Sequence, residues 1–69
     1  MPTAVEQLID HLKKDIAALE ERAKQAEALL PHIAEKYRER WQASIESTLQ
    51  QGKELSELLV EIRKDHPGN

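Results

Sequence analysis

The sequence of 69 residues contains no cysteine and no phenylalanine, and only one tryptophan, one tyrosine and two glycines. The lack of cysteine excludes disulfides, which small domains often use when their core is limited. A chain this short buries only about 60% of its unfolded surface when it folds alone. We therefore expect its stability to depend on association with a second chain.

The sequence has no apolar run long enough to cross a membrane, and its N-terminus lacks the pattern of a secretory signal. Together with the absence of cysteine, this favours a cytoplasmic location. Charged residues make up 33% of the chain, with both signs interspersed and a net charge of −3. That mixture and the scarcity of aromatic residues argue against nucleic-acid binding.

The main positive signal is an apolar stripe with helical spacing, which begins directly after a predicted capping box of Thr3 and Glu6. This pattern predicts one helix over about 4–29 and a second over about 32–65, in a single all-α domain of residues 1–69. The residues predicted to form the core or a dimer interface are Val5, Ile9, Leu12, Ile16, Leu19, Leu30, Ile33, Ile45, Leu49, Leu55, Leu59 and Ile62.

Pro31 is the predicted position of the turn. Proline lacks the backbone N–H that a helix interior requires, disfavours helical dihedrals at the preceding residue, and is well tolerated in the first turn of a helix. The first helix is therefore expected to end before Leu30, with Pro31 starting the second. This turn is expected to place Ala23 and Ala26 opposite Tyr37 and Trp41, Leu19 opposite Ile45, and Ile16 opposite Leu49.

Gly52 offers an alternative turn, because glycine commonly follows the last residue of a helix. Pro31 would then be only a kink in a helix of about 48 residues. In both cases Leu8, Leu29 and Leu58 widen the apolar face beyond what one partner helix covers. We therefore expect a helical hairpin that forms a homodimer resembling a four-helix bundle.

No motif in the sequence predicts catalysis, a cofactor or a metal centre. His11 with Asp15, and His32 with Glu35, could each share a helix face, but these pairs flank the apolar stripe and do not supply the inward-facing ligand set that a metal site needs. The expectation is a non-enzymatic protein without a cofactor.

The segment from Tyr37 to Trp41 is the predicted partner-binding site. Tryptophan, tyrosine and arginine are the residue types most enriched at interface hot spots. Together with Lys36, the two arginines also form a basic patch suited to an acidic partner surface. The alternative is that both rings belong to the core. The predicted partner-binding residues are Tyr37, Arg38, Arg40 and Trp41.

In size and shape, a short acidic helical hairpin resembles the plasmid RNA-binding regulator Rop, and is similar to the small chaperones of type III secretion needle subunits. This resemblance implies action by binding. The predicted function is to bind a larger protein and regulate it, as an inhibitor, anti-activator, adaptor or chaperone. The alternatives are a structural coiled-coil segment or a Rop-like RNA-binding regulator that uses Lys13, Lys14, Lys36, Arg38 and Arg40.

Overall fold

A computed structural model describes residues 3–66 as two α-helices that pack against each other as a hairpin. Helix α1 spans Ala4–Leu29, a 3-10 turn spans Leu30–His32, and helix α2 spans Glu35–Asp65. The predicted all-α helical hairpin is confirmed. The two ends of the predicted domain, residues 1–2 and 67–69, lie outside the described residues.

The predicted capping box at the start of α1 is confirmed. The Thr3 hydroxyl accepts a hydrogen bond from the Glu6 backbone N–H at 3.1 Å, and the Glu6 carboxylate accepts one from the Thr3 N–H at 3.3 Å. These two bonds satisfy backbone donors that have no partner within the helix. The helix therefore begins at Ala4, as the local sequence predicts.

The chain reverses direction after Pro31, but over more residues than predicted. Pro31 lies in the 3-10 turn that continues α1, and Leu30 keeps helical dihedrals of −52° and −43°. Ile33 and Ala34 then adopt extended backbone, with ψ of 134° and 141°. As a consequence α2 begins at Glu35, rather than at residue 32.

Gly52 does not break α2, which runs through it without interruption. The residue is buried, and a Cβ atom built on it would lie 4.0 Å from the Cβ of Leu19. Leu19 is therefore opposite Gly52 and not opposite Ile45, a difference of two helical turns or about 10 Å. The predicted pairing of Ile16 with Leu49 belongs to the same incorrect register, because the turn is longer than expected.

The hairpin is a single layer of two helices, so it encloses only a small hydrophobic core. It measures 49 × 20 × 12 Å, and its radius of gyration of 15.8 Å exceeds the roughly 11 Å expected for a compact domain of this length. Leu49, predicted as a core residue, is 46% exposed. Within the described residues, neither helix is both long and apolar enough to cross a membrane. The buried hydrophobic residues are Ile9, Leu12, Ala23 and Ile45.

The remaining predicted core residues are only half-buried, because each helix is covered by the other helix on one side only. They lie along the contact between α1 and α2, at its edges or in the turn. These half-buried residues are Val5, Ile16, Leu19, Leu30, Ile33, Leu55, Leu59 and Ile62.

Replacing Gly52 by alanine is expected to stabilise the protein by about 0.5–1 kcal/mol, because alanine favours a helix interior and its methyl group fits against Leu19 without a clash. Gly52→Leu is the matched control and should destabilise by about 1–3 kcal/mol through overpacking. Urea unfolding at one fixed protein concentration measures both. A loss of stability in the alanine variant would show that the contact between Gly52 and Leu19 leaves no room for a methyl group.

Candidate protein-binding surface at the hairpin turn

Trp41 connects the two helices near the turn. Its indole Nε1 donates a hydrogen bond of 2.7 Å to the carbonyl oxygen of Ala26. In a regular helix this oxygen would accept from the N–H of Leu30, but that N–H donates to Glu27 instead, three residues back. The indole therefore satisfies a carbonyl of the last turn of α1. Trp41 remains half-buried, so one side of its ring is accessible.

Arg38 supports the extended residues of the turn. Its Nε donates to the carbonyl oxygen of Ile33 at 3.3 Å, and the backbone N–H of Tyr37 donates to Ala34 at 2.9 Å. Ala34 occupies the N-cap position of α2 and offers no side-chain cap. Arg38, which is predicted to contact a partner, thus also forms a hydrogen bond within the chain.

A shallow groove of about 570 Å³ lies beside the turn. Three of the four predicted partner-binding residues, Tyr37, Arg40 and Trp41, line it, whereas Arg38 is not among its lining residues. The Tyr37 side chain is 49% exposed, and the Lys36 ammonium lies 5.0 Å from the centre of its ring. We call this surface the turn groove, and its lining residues are His32, Ile33, Ala34, Tyr37, Arg40 and Trp41.

Three lining residues were not predicted to contact a partner. His32 was interpreted as a surface histidine, Ile33 as a core residue, and Ala34 was given no role. The signal that could have pointed to them is Pro31, because it favours a turn directly before the predicted site. The sequence places them next to the predicted site but does not show that they share a groove with it.

The turn groove combines apolar walls with positive charge. Arg40 forms no ion pair with any residue from 3 to 66, where Lys14 pairs with Asp10 at 3.1 Å and the His11 imidazole contacts the Asp15 carboxylate at 3.3 Å. Its guanidinium is therefore available to an external carboxylate, which it can bind in a bidentate manner.

The described residues were also compared with the requirements of a metal site. Across residues 3–66, no three His, Asp or Glu side chains are grouped so that they could hold a metal ion. Comparisons of the chain with protein-family models, with curated proteins and with solved structures give no significant match. The turn groove and the exposed apolar surface are the features of the described residues that suggest a function.

Trp41→Phe is expected to destabilise the protein by about 1–2 kcal/mol, because the phenyl ring keeps most of the packing but leaves the Ala26 carbonyl without its donor. Tyr37→Phe is the control, since Tyr37 is half exposed and its hydroxyl donates to no described residue; its effect should stay within about 0.5 kcal/mol. Urea unfolding measures both changes. Equal stability of the two variants would show that the indole bond does not hold the turn.

Proposed function

We propose that this protein is a cytoplasmic, non-enzymatic homodimer that binds a larger protein through the turn groove and regulates it, as an inhibitor, anti-activator, adaptor or chaperone. The observation that carries this proposal is the groove itself. It brings together, at the tip of the hairpin, the half-exposed Tyr37, the half-buried Trp41 and Arg40, whose guanidinium forms no ion pair within residues 3–66. These three residue types dominate the binding energy of known interfaces.

The groove suits a partner segment that presents an apolar side chain next to a carboxylate. The apolar group would fill the space between Ile33 and the two rings, and the carboxylate would reach Arg40 at the edge. Because the bond to Ala26 already fixes the indole of Trp41, little side-chain entropy is lost on binding. A rigid, partly prepared site of this kind favours specific recognition.

The exposed apolar surface supports the homodimer in this proposal. Leu8, Leu29 and Leu58 are 46%, 50% and 43% exposed. One hairpin has no third helix to cover them, whereas a second hairpin packed on the same side would bury them as a four-helix bundle does.

The arrangement of basic residues does not favour the RNA-binding alternative. Lys13 borders a depression at the open end of the hairpin together with Glu6 and Asp10, about 25 Å along α1 from the turn where Arg40 lies. Lys14 pairs with Asp10. The basic residues of the RNA-binding alternative are thus divided between the two ends of the hairpin. Those on α1 also have acidic neighbours.

Arg40→Ala is the variant that tests partner binding. It should weaken binding by about 2 kcal/mol or more, roughly 30-fold in Kd, while changing folding stability by less than about 1 kcal/mol because the side chain is exposed. The matched control is Arg63→Ala, at the other end of α2, which should bind like the wild type.

The measurement has two steps. Affinity capture and mass spectrometry identify the partner, and calorimetric titration of the purified partner then gives Kd for the wild type and both variants. A partner that binds the Arg40→Ala variant with wild-type affinity, or that loses equal affinity with both variants, would contradict the assignment of the turn groove as the binding site.

A further inference from the structure

Four residues of α1, each seven positions from the next, form a stripe beside the contact with α2. Residues seven apart lie two turns apart on the same side of a helix. Leu8 and Leu29 at the ends are 46% and 50% exposed, the Asp15 side chain is 48% exposed, and Arg22 is exposed. Asp15 and Arg22 border one depression with Leu19. We call Leu8, Asp15, Arg22 and Leu29 the α1 stripe.

The α1 stripe is complementary to a second copy of itself that runs in the opposite direction. If two copies of α1 lie antiparallel about a two-fold axis that passes between Ala18 and Leu19, Leu8 of each copy meets Leu29 of the other. Asp15 of each copy then meets Arg22 of the other. At the axis itself, Ala18 of each copy meets Leu19 of the other. A two-fold interface requires this kind of self-complementarity, because the same patch is used by both subunits.

We propose that the α1 stripe is the interface between two copies of this chain, with the two α1 helices antiparallel. This inference rests on the homodimer proposed above and names its surface and orientation. Charge selects the orientation: a parallel pair would place Asp15 against Asp15 and Arg22 against Arg22. The spacing of seven residues is also the one that keeps two helices in contact along a left-handed crossing.

The rest of this face of the hairpin continues the interface. Leu55 of α2 borders the same depression as Asp15 and Arg22, and the exposed Leu58 lies one turn further along α2. The broad face of the hairpin measures 49 × 20 Å, enough for the roughly 800 Å² that each partner contributes to a stable interface.

The opposite flank of α1 lacks these properties. Residues at the same spacing there are all charged and exposed, so they offer no apolar contact. Paired antiparallel in the same way, they would place two glutamates against each other at both ends of the contact, and this repulsion offsets the attraction between Lys13 and Glu20 at its centre. These residues are Glu6, Lys13, Glu20 and Glu27.

Two charge reversals test the interface. Asp15→Arg and Arg22→Asp each replace both opposite-charge contacts of the dimer by like-charge contacts, so each variant alone should dimerise at least about tenfold more weakly than the wild type. An equimolar mixture restores opposite charges at both contacts, and it should form heterodimers with nearly wild-type affinity. Glu20→Arg, a matched change on the opposite flank, should dimerise like the wild type.

Sedimentation equilibrium of the wild type, the variants and the mixture distinguishes the outcomes. A wild type that stays monomeric at all accessible concentrations overturns both the homodimer and this interface. A wild-type dimer that neither charge reversal weakens, or a mixture that fails to recover affinity, overturns the α1 stripe alone and leaves the homodimer standing.

Cysteine substitution provides an independent readout of orientation, since the chain has no cysteine of its own. Leu8 and Leu29 are about 31 Å apart along α1, and a disulfide needs Cα atoms within about 7 Å. Leu8→Cys and Leu29→Cys should therefore crosslink with each other when mixed under oxidising conditions. Crosslinking of either variant with itself, without the mixed product, would establish a parallel dimer and overturn the proposal.

Discussion

A single layer of two helices cannot enclose a hydrophobic core, and this constraint determines most of the structure. Each helix of the hairpin is covered by a neighbour on one side only, so few apolar side chains lose contact with solvent. Gly52 is buried opposite Leu19, at the contact between the two helices. The apolar residues that remain exposed are the physical basis of the proposed homodimer.

The tip of the hairpin depends on two side chains of the types that also dominate interfaces. Trp41 gives its indole N–H to the end of α1, and Arg38 gives its Nε–H to the turn. Part of the predicted partner site is therefore used for folding. Tyr37, Arg40 and the exposed part of Trp41 form the surface of the proposed partner site.

The features that sequence alone predicts correctly are local ones. The capping box of Thr3 and Glu6 specifies the start of α1, because both hydrogen bonds lie within one helical turn. Pro31 marks the reversal of the chain, because its ring restricts the backbone wherever it occurs. The wide apolar face follows from helical spacing, and it predicts that one hairpin leaves apolar surface exposed.

The sequence does not predict the features that depend on which residues of α1 and α2 face each other. The extended conformation of Ile33 and Ala34 shifts α2 along α1, so Leu49 is largely exposed and Leu19 meets Gly52. A glycine that ends a helix and one that lies buried within a helix look identical in a sequence. The different environments of Tyr37 and Trp41 also depend on the register, which brings the Trp41 indole N–H to the carbonyl of Ala26.

The central claim is that the folded hairpin is completed by a second copy of itself, and the dependence of Tm on protein concentration tests it most directly. Folding linked to dimer formation gains about 1.4 kcal/mol for each tenfold increase in concentration. Tm should therefore rise by about 3–6 °C per tenfold increase, measured by circular dichroism from micromolar to millimolar protein. A sharp transition at the same temperature at every concentration would show that the hairpin is stable alone and would contradict the account.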